Sequence, residues 1–338
     1  MINQGKKQPQ VAVLIINWNC WQDTLDCLES LYSSSYPKCR IIVLDNGSQD
    51  ESVEKLRASL GDHFYTLENS EYKKRTIDRS NNTYASAFDS HAFFLVSPIN
   101  HGFSAGCNIA IDYLRENGIQ FDYLFLLNND ATIEPGCITE LISVAEKEQG
   151  AAIVGAVVKN EDGSILAGAK FPRELFIASK AALPDDRVDC WCVDRVEGSA
   201  MLISRKLLEE CRSERGYYFD PDLFMYYEDA EFCHYARVKG YGVMMAGNAV
   251  IYHKMSHSSG GGGSALSYYY ITRNRIRLAS HCLPAWEKIL FHAWYPVSRV
   301  ARALQRKVQG KPEVALAILN GLWDGYSGKT GKWGKHRG

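Results

Sequence analysis

The chain lacks the signatures by which most phosphate-binding enzymes are read. Neither GxGxxG nor GxxxxGK[ST] occurs, which argues against a dinucleotide-dependent dehydrogenase and against a P-loop NTPase. Ten cysteines contain no CxxC pair. The lone Cys190 and Cys192 spacing is too little for a zinc site. No uninterrupted apolar run reaches the roughly 18 residues that span a bilayer. Met1 to Gln10 is polar and carries no apolar signal segment. These absences lead us to expect a reducing cytoplasm. Net charge is also scarce: 38 Lys and Arg against 39 Asp and Glu leave −1. No global field therefore argues for a nucleic-acid partner, and none is expected. The exception is Arg299 to Gly338, where nine Lys and Arg face two Asp and Glu, an excess of seven. Such a tail suits an acidic lipid surface or a polyanion. A solvated terminus would look the same.

What the chain does have is the rhythm of an α/β sheet. Its 338 residues suffice for one large domain with additions, or for two. Val11-Ala12-Val13-Leu14-Ile15-Ile16 is a buried-strand run ending in Asn17-Trp18-Asn19. A helical stripe of Leu25, Leu28 and Leu31 follows. Arg40 to Leu44 is a second such run, ending in Asp45-Asn46-Gly47-Ser48-Gln49-Asp50. Gly47 allows a tight turn, and Ser48 or Asp50 caps the next helix. Glu68 to Phe88 is polar and reads as an inserted surface loop. Phe93 to Val96 resumes the sheet, and Asn100-His101-Gly102-Phe103-Ser104-Ala105-Gly106-Cys107-Asn108 leads into a helix whose N–H groups face a ligand. Tyr123 to Leu127 then ends in Asn128-Asn129-Asp130. A parallel strand delivers its last residues to the ligand crevice. There an Asp holds a hard cation, although an ordinary turn also favours these residues.

These motifs resemble the family 2 glycosyltransferases, which have a GT-A fold, and within them the bacterial rhamnosyltransferase-like branch. The carriers are Asn17-Trp18-Asn19, Asp45 to Asp50, Asn100 to Asn108, Asn128-Asn129-Asp130, Glu228-Asp229, His253 and Arg273-Asn274, over roughly residues 10 to 280. The resemblance implies sugar transfer from a nucleoside diphosphate sugar with inversion at the anomeric carbon. It sets Asn17 and Asp45 against base and ribose, and counts Asn19, Asn46, Asn100, Gly102, Asn108, Asn128, Asn129 and Asn274 among the nucleotide-sugar contacts. Asn128-Asn129-Asp130 stands in the place of the DXD motif, with Asp130 meeting Mg2+ or Mn2+ and His253 joining the metal or diphosphate. Asn128 departs from that motif, offering a carbonyl oxygen but no charge.

The second half supplies acceptor and chemistry. Ile153 to Val158 and Glu197 to Ser204 read as strands. Glu228-Asp229 opens a helix that ends near Gly240. Carboxylates also favour a first helical turn for its dipole alone. An inverting transfer needs one base beside the acceptor hydroxyl. By resemblance that base is Asp229, with Glu228 orienting the acceptor. Arg273 has the fixed donor fork that suits a leaving diphosphate. Gly260 to Gly263 reads as a loop that closes over bound nucleotide. After Pro284, Trp286, Ile289, Leu290, Trp294, Val297, Val300 and Leu304 form an amphipathic pattern with Arg299, Arg302, Arg306 and Lys307 alongside. Such a helix lies on a membrane surface or packs on the catalytic domain.

The sequence therefore predicts an α/β, Rossmann-like GT-A fold, with a mixed, mostly parallel sheet flanked by helices and a C-terminal helical extension. Residues 1–10 form a polar tail. Residues 11–280 form the glycosyltransferase domain, with 11–130 its nucleotide half and 131–280 its acceptor half. Residues 281–338 carry amphipathic helices and a basic tail. The expected reaction moves L-rhamnose or a hexose from a dTDP- or UDP-sugar to a glycan or lipid-linked acceptor in surface polysaccharide synthesis. The place is cytoplasmic, with peripheral contact on the inner membrane face through the C-terminal region. The alternatives are a nucleotidyltransferase acting on sugar phosphates and a non-catalytic nucleotide-sugar-binding module.

Overall fold

The computed structural model describes residues 8–37, 39–60, 64–68, 71–75, 92–160, 165–166, 169–170, 179–180, 188–254 and 263–334. The glycine run expected to close over a nucleotide lies mostly outside them, with Gly263 alone described.

Residues 11–130, expected to serve the nucleotide, run β1 (Val11–Asn17), α1 (Trp21–Tyr32), β2 (Cys39–Asn46), α2 (Ser52–Leu60), β3 (Phe64–Glu68), β4 (Glu71–Arg75), β5 (Ala92–Ser97), α3 (Phe103–Glu116) and β6 (Tyr123–Leu127). Residues 131–280, expected to form the acceptor half, add β7 (Ala131–Ile133), α4 (Cys137–Lys147), β8 (Ala151–Lys159), β9 (Ile165–Leu166), β10 (Ala169–Lys170), β11 (Ser179–Lys180), β12 (Cys190–Cys192), β13 (Ala200–Ser204), α5 (Arg205–Arg215), a 3-10 turn (Pro221–Leu223), α6 (Glu228–Val238) and β14 (Gly242–His253). Three helices follow: α7 (Ala265–Cys282), α8 (Ala285–Val308) and α9 (Pro312–Tyr326).

The strands join one mixed sheet in the order β12-β14-β8-β13-β6-β1-β2-β5-β3-β4, with β7 on β14 and β9 on β8. From β6 to β3 every pairing is parallel. The polar residues that close β1, β2, β5 and β6 therefore share one edge. β13 runs antiparallel between β6 and β8. Alternate residues of each central strand face opposite layers, as the pleat requires. Val13, Ile15, Val43 and Phe125 pack with Leu28, Leu56 and Leu141 of α1, α2 and α4. Leu14, Ile42, Leu124 and Leu126 pack with Ile111, Leu207 and Phe232 of α3, α5 and α6.

Two local expectations are corrected. Part of the polar stretch after Glu68 is strand: Glu71–Arg75 pairs antiparallel with Phe64–Glu68. An edge strand tolerates a polar sequence, so apolar periodicity does not reveal it. The strand expected from Glu197 begins only at Ala200, because Ala200 N bonds back to the Glu197 carbonyl in a turn. That irregular stretch brings residues 195–199 to the sheet edge.

The C-terminal helices pack on one another and on the acceptor half. Phe291 and Tyr295 of α8 stack at 4.5 Å and join Ile276 and Ala279 of α7 in a small core. Ser264 caps α7 by accepting from Ser267 N.

Candidate active site

A cavity of about 350 Å³ opens at the carboxyl edge of the parallel strands. One end is shaped by the β1 and β2 termini. Asn17 Nδ2 donates to Asp45 Oδ2 at 2.7 Å, and Thr24 Oγ1 donates to Asn17 Oδ1 at 2.8 Å. Ser48 donates to Asp45 through both its amide and its hydroxyl, at 3.0 and 2.6 Å. Burial raises the Asp45 carboxyl above its ordinary range, and these donors work against that rise. Trp18 and Asn46 form the wall here. Asn46 clamps the turn into α3, donating to the Gly102 carbonyl at 2.9 Å and accepting from His101 N at 3.0 Å. Gly102 has φ +84, and a Cβ there would stand 2.5 Å from the Phe224 carbonyl oxygen. Only glycine fits.

A second corner joins Asp130 to His253. β7 pairs with β14 so that Ala131 opposes His253, which carries the imidazole to the neighbouring Asp130. His253 Nε2 lies 2.9 Å from Asp130 Oδ1 and 3.3 Å from the Asn128 amide nitrogen. Asp130 and His253 are both buried, and His253 Nδ1 has no partner among the described residues. Carboxylate, imidazole and amide suit a hard or borderline divalent cation. Among the described residues no cluster of three His, Cys, Asp or Glu completes a protein-only site. The set fits a divalent cation that would need further ligands from outside these residues. The adjacent Lys254 is bound to Asp23 and Asp26, each at 2.7 Å.

The third wall carries Glu228 and Asp229 at the start of α6. Asp229 Oδ2 accepts from Arg195 Nη2 at 2.7 Å, Arg195 Nε at 3.1 Å and Gly198 N at 3.1 Å. Arg195 thus forms a two-pronged ion pair that fixes this carboxylate. Glu228 is 7% exposed, and its Oε2 has no partner among the described residues. Burial first, and the charge of Asp229 second, push its carboxyl well above the usual range. The two carboxyls thus sit in different environments, Asp229 held by charged and backbone donors and Glu228 Oε2 buried without one among the described residues.

The backbone before this pair is strained. Phe224, Tyr226 and Tyr227 have φ +64, +68 and +73, each costing on the order of 1–3 kcal/mol. Arg273 and Asn274 hold the loop. Asn274 Nδ2 lies 2.8 to 2.9 Å from the carbonyls of Leu223, Met225 and Tyr226. Arg273 Nη2 donates to the Asp222 and Leu223 carbonyls at 3.0 and 2.9 Å.

The sequence profile of glycosyltransferase like family 2 matches residues 9–275. The chain belongs to this family. A curated relative, the low-salt glycan biosynthesis hexosyltransferase Agl10 of Haloferax volcanii, is 25% identical over 230 residues. That alignment covers 67% of this chain and 61% of the relative, so the match spans about three fifths of its length. Among solved structures, the mannosyltransferase PcManGT from Pyrobaculum calidifontis, in complex with GDP-Man and Mn2+, superposes with a TM-score of 0.56 at 15% identity. It covers 96% of this chain and 88% of that one. GalNAc-T7 with UDP, GalNAc and Mn2+ gives 0.56 at 14% identity, over 84% of this chain and 54% of that one. The fold of this family 2 member is accordingly GT-A.

Of the residues singled out in the sequence, the cavity wall gathers Asn46, Asn100, Gly102, Asn128, Asn129, Asp130, Glu228, Asp229 and His253. Others sit elsewhere. Asn17 and Asp45 are buried beneath the wall and bond to each other and to Ser48. Asn19 accepts from Gln49 N on the exposed rim. Asn108 staples α3 to the segment before the 3-10 turn, bonding Phe219 N and O at 2.8 and 2.7 Å. Arg273 and Asn274 support the strained loop and do not line the cavity, because buried carbonyls occupy their donors. Arg195, Lys332 and Trp333 were not legible as site residues, though all three line the cavity. None stands in a motif, and their approach depends on chain reversals far from the named strands.

Proposed function

We propose that the protein is an inverting glycosyltransferase that moves a hexose from a nucleoside diphosphate sugar to a glycan or lipid-linked acceptor. The reading rests on one observation: a single cavity is lined by both Asp130 with His253 and Glu228 with Asp229. Residues 11–130 serve the donor and residues 131–280 the acceptor. Family resemblance favours dTDP- or UDP-linked donors, L-rhamnose among them, and surface polysaccharide as the product class.

Asp130 and His253, with the Asn128 amide, are the residues that would hold Mg2+ or Mn2+. When bound, that cation neutralises charge on the leaving diphosphate. Asn46, Asn100 and Gly102 keep the donor end of the cavity in shape. The acceptor hydroxyl oxygen bonds to the anomeric carbon from the face opposite the diphosphate. The bond from that carbon to the diphosphate oxygen breaks, and the nucleoside diphosphate leaves with the electron pair. The hydroxyl proton passes to Asp229, which Arg195 and Gly198 N hold in place. Glu228, whose carboxyl burial raises, orients the acceptor through a hydrogen bond.

We also propose that α8 and α9 rest on an anionic membrane surface. Trp286, Ile289, Val297, Leu304 and Val308 on α8, and Leu316 and Trp323 on α9, are more than half exposed. On α8 they recur at helical spacing along one side. Lys288, Arg302, Lys307 and Lys311 supply the positive charge that such a surface attracts. No helix of the described residues is long and apolar enough to cross a membrane.

Calorimetric titration of UDP, dTDP and GDP with and without Mn2+ tests the donor reading. One of the three should bind in Mn2+ and weaken at least about tenfold, or roughly 1.4 kcal/mol, in Asp130→Asn. Absence of binding by all three would refute it.

A further inference from the structure

After α9 the chain turns back over the site as a short strap, and three fastenings hold it there. Gly331 N donates to the Asp222 carbonyl at 2.9 Å. Arg273 Nη1 donates to the Gly331 carbonyl at 2.6 Å. Trp333 N donates to the Tyr270 hydroxyl at 2.7 Å, and the Trp333 ring stacks on Tyr269 with centroids 4.5 Å apart and planes 10° apart. Tyr269 and Tyr270 are fully buried. Lys332 stands between the second and third fastenings, so its backbone is fixed on both sides. Lys332 lines the cavity.

The charges around it give this position a meaning. The cavity wall carries the carboxylates Asp130, Glu197, Glu228 and Asp229, and the cations Arg195 and Lys332. Arg195 is committed to Asp229. Among the described residues Lys332 is the lining cation without a carboxylate partner. Two further cavity groups are buried with no partner among those residues: Ser199 Oγ and Glu228 Oε2. Both residues are at least nine-tenths buried. The Trp333 indole N–H is likewise buried and unpartnered among them. A cavity with polar atoms left without partners is arranged for a ligand that brings its own hydrogen bonds, and its one cation without a carboxylate partner among the described residues suits an anionic group.

We propose that the strap is part of the substrate site and that Lys332 contacts a phosphate group of a bound substrate. This rests on the glycosyltransferase reading and assigns the phosphate-facing cation to Lys332, with Arg273 as the positioning residue that ties down its strap. A Lys ammonium suits the task as a compact charge on a flexible stem. The phosphate is either the diphosphate of the donor or the phosphate of a lipid-linked acceptor.

Lys332→Gln and Lys332→Arg distinguish these sources. Binding of UDP, dTDP and GDP in Mn2+ is measured by calorimetry, and binding of farnesyl phosphate in detergent by fluorescence competition. Lys332→Gln should weaken either the matching nucleotide or the farnesyl phosphate about tenfold, the order of one charge-assisted hydrogen bond. The probe that weakens identifies the source. Lys332→Arg should stay within about threefold of wild type for that probe, and both variants should melt with the wild type, because the side chain supports no buried contact. If wild type binds the probes and Lys332→Gln binds both equally well, the proposal is overturned while the glycosyltransferase reading stands. If wild type binds neither nucleotide nor farnesyl phosphate, both fall.

Discussion

Adjacent carboxylates in one helical turn would ordinarily behave alike, yet Glu228 and Asp229 do not share an environment. Asp229 has three donors on one oxygen, two of them from Arg195. Glu228 faces burial and a neighbouring charge, and its carboxyl is raised. The sign follows from linkage. A carboxyl whose folded value exceeds its unfolded value near 4.3 contributes stability below that value and loses it as pH rises through the folded one. The wild type should therefore lose melting temperature relative to Glu228→Gln as pH climbs above about 4.3, with the gap levelling once Glu228 is ionised. Thermal melts of both proteins from pH 4 to 9 check this. A constant gap would mean that Glu228 titrates alike in the folded and unfolded protein. For acceptor turnover, Glu228→Gln keeps a hydrogen-bond donor and should cost far less than loss of the base.

At the scale of elements, the segment from Pro221 to Tyr227 decides the site. It is strained at three residues and held from beneath by α7 and from above by the strap. Asn274→Ala leaves the Met225 and Tyr226 carbonyls without their side-chain donor, and should destabilise the fold by about 2 kcal/mol. Turnover should drop more than donor affinity, because the loop aims Glu228 and Asp229 while Asp130 is carried by β6. Urea unfolding and steady-state kinetics of that variant separate the two effects. Unchanged stability would show that the loop holds itself. Gly102→Ala strikes the same loop from the α3 side: the new Cβ meets the Phe224 carbonyl in a backbone with φ +84. A loss of about 2 kcal/mol or more is expected on the same urea assay.

Legibility also divides at this scale. β1, β2, β5 and β6 could be read because strands buried on both faces are continuous apolar runs, and the residues closing them must reach the ligand edge. Asp130, Asn46 and Asn128 followed from that rule. Arg273 and Asn274 were visible as a motif, but their role was not. A sequence shows the donor fork of an Arg without showing which carbonyls fill it. Arg195 lies 34 residues from its partner Asp229, just before the stretch expected to be strand from Glu197. The edge strand β4 was hidden by its polar composition.

For the whole molecule, the sheet supplies a rigid edge, the acceptor half covers it, and the C-terminal helices add a surface of a different kind. If α8 and α9 rest on lipid, Trp294→Glu with Leu304→Glu should abolish flotation with vesicles of anionic phospholipid while leaving turnover on a soluble acceptor intact. Flotation equal to wild type would remove the membrane from the account. On the proposed reading a divalent cation held by Asp130 and His253 would act at the same scale. EDTA should stop transfer, and added Mn2+ or Mg2+ should restore it.

The central claim is that one cavity unites a donor site with a base for the acceptor. Nucleoside diphosphate release from the matched donor in the presence of acceptor, compared between wild type and Asp229→Asn, tests it most directly. Calorimetric donor affinity serves as the control. The account predicts a fall in turnover of about a hundredfold or more, the scale of a lost general base, with donor affinity within about threefold. Turnover near the wild-type rate in Asp229→Asn would contradict it.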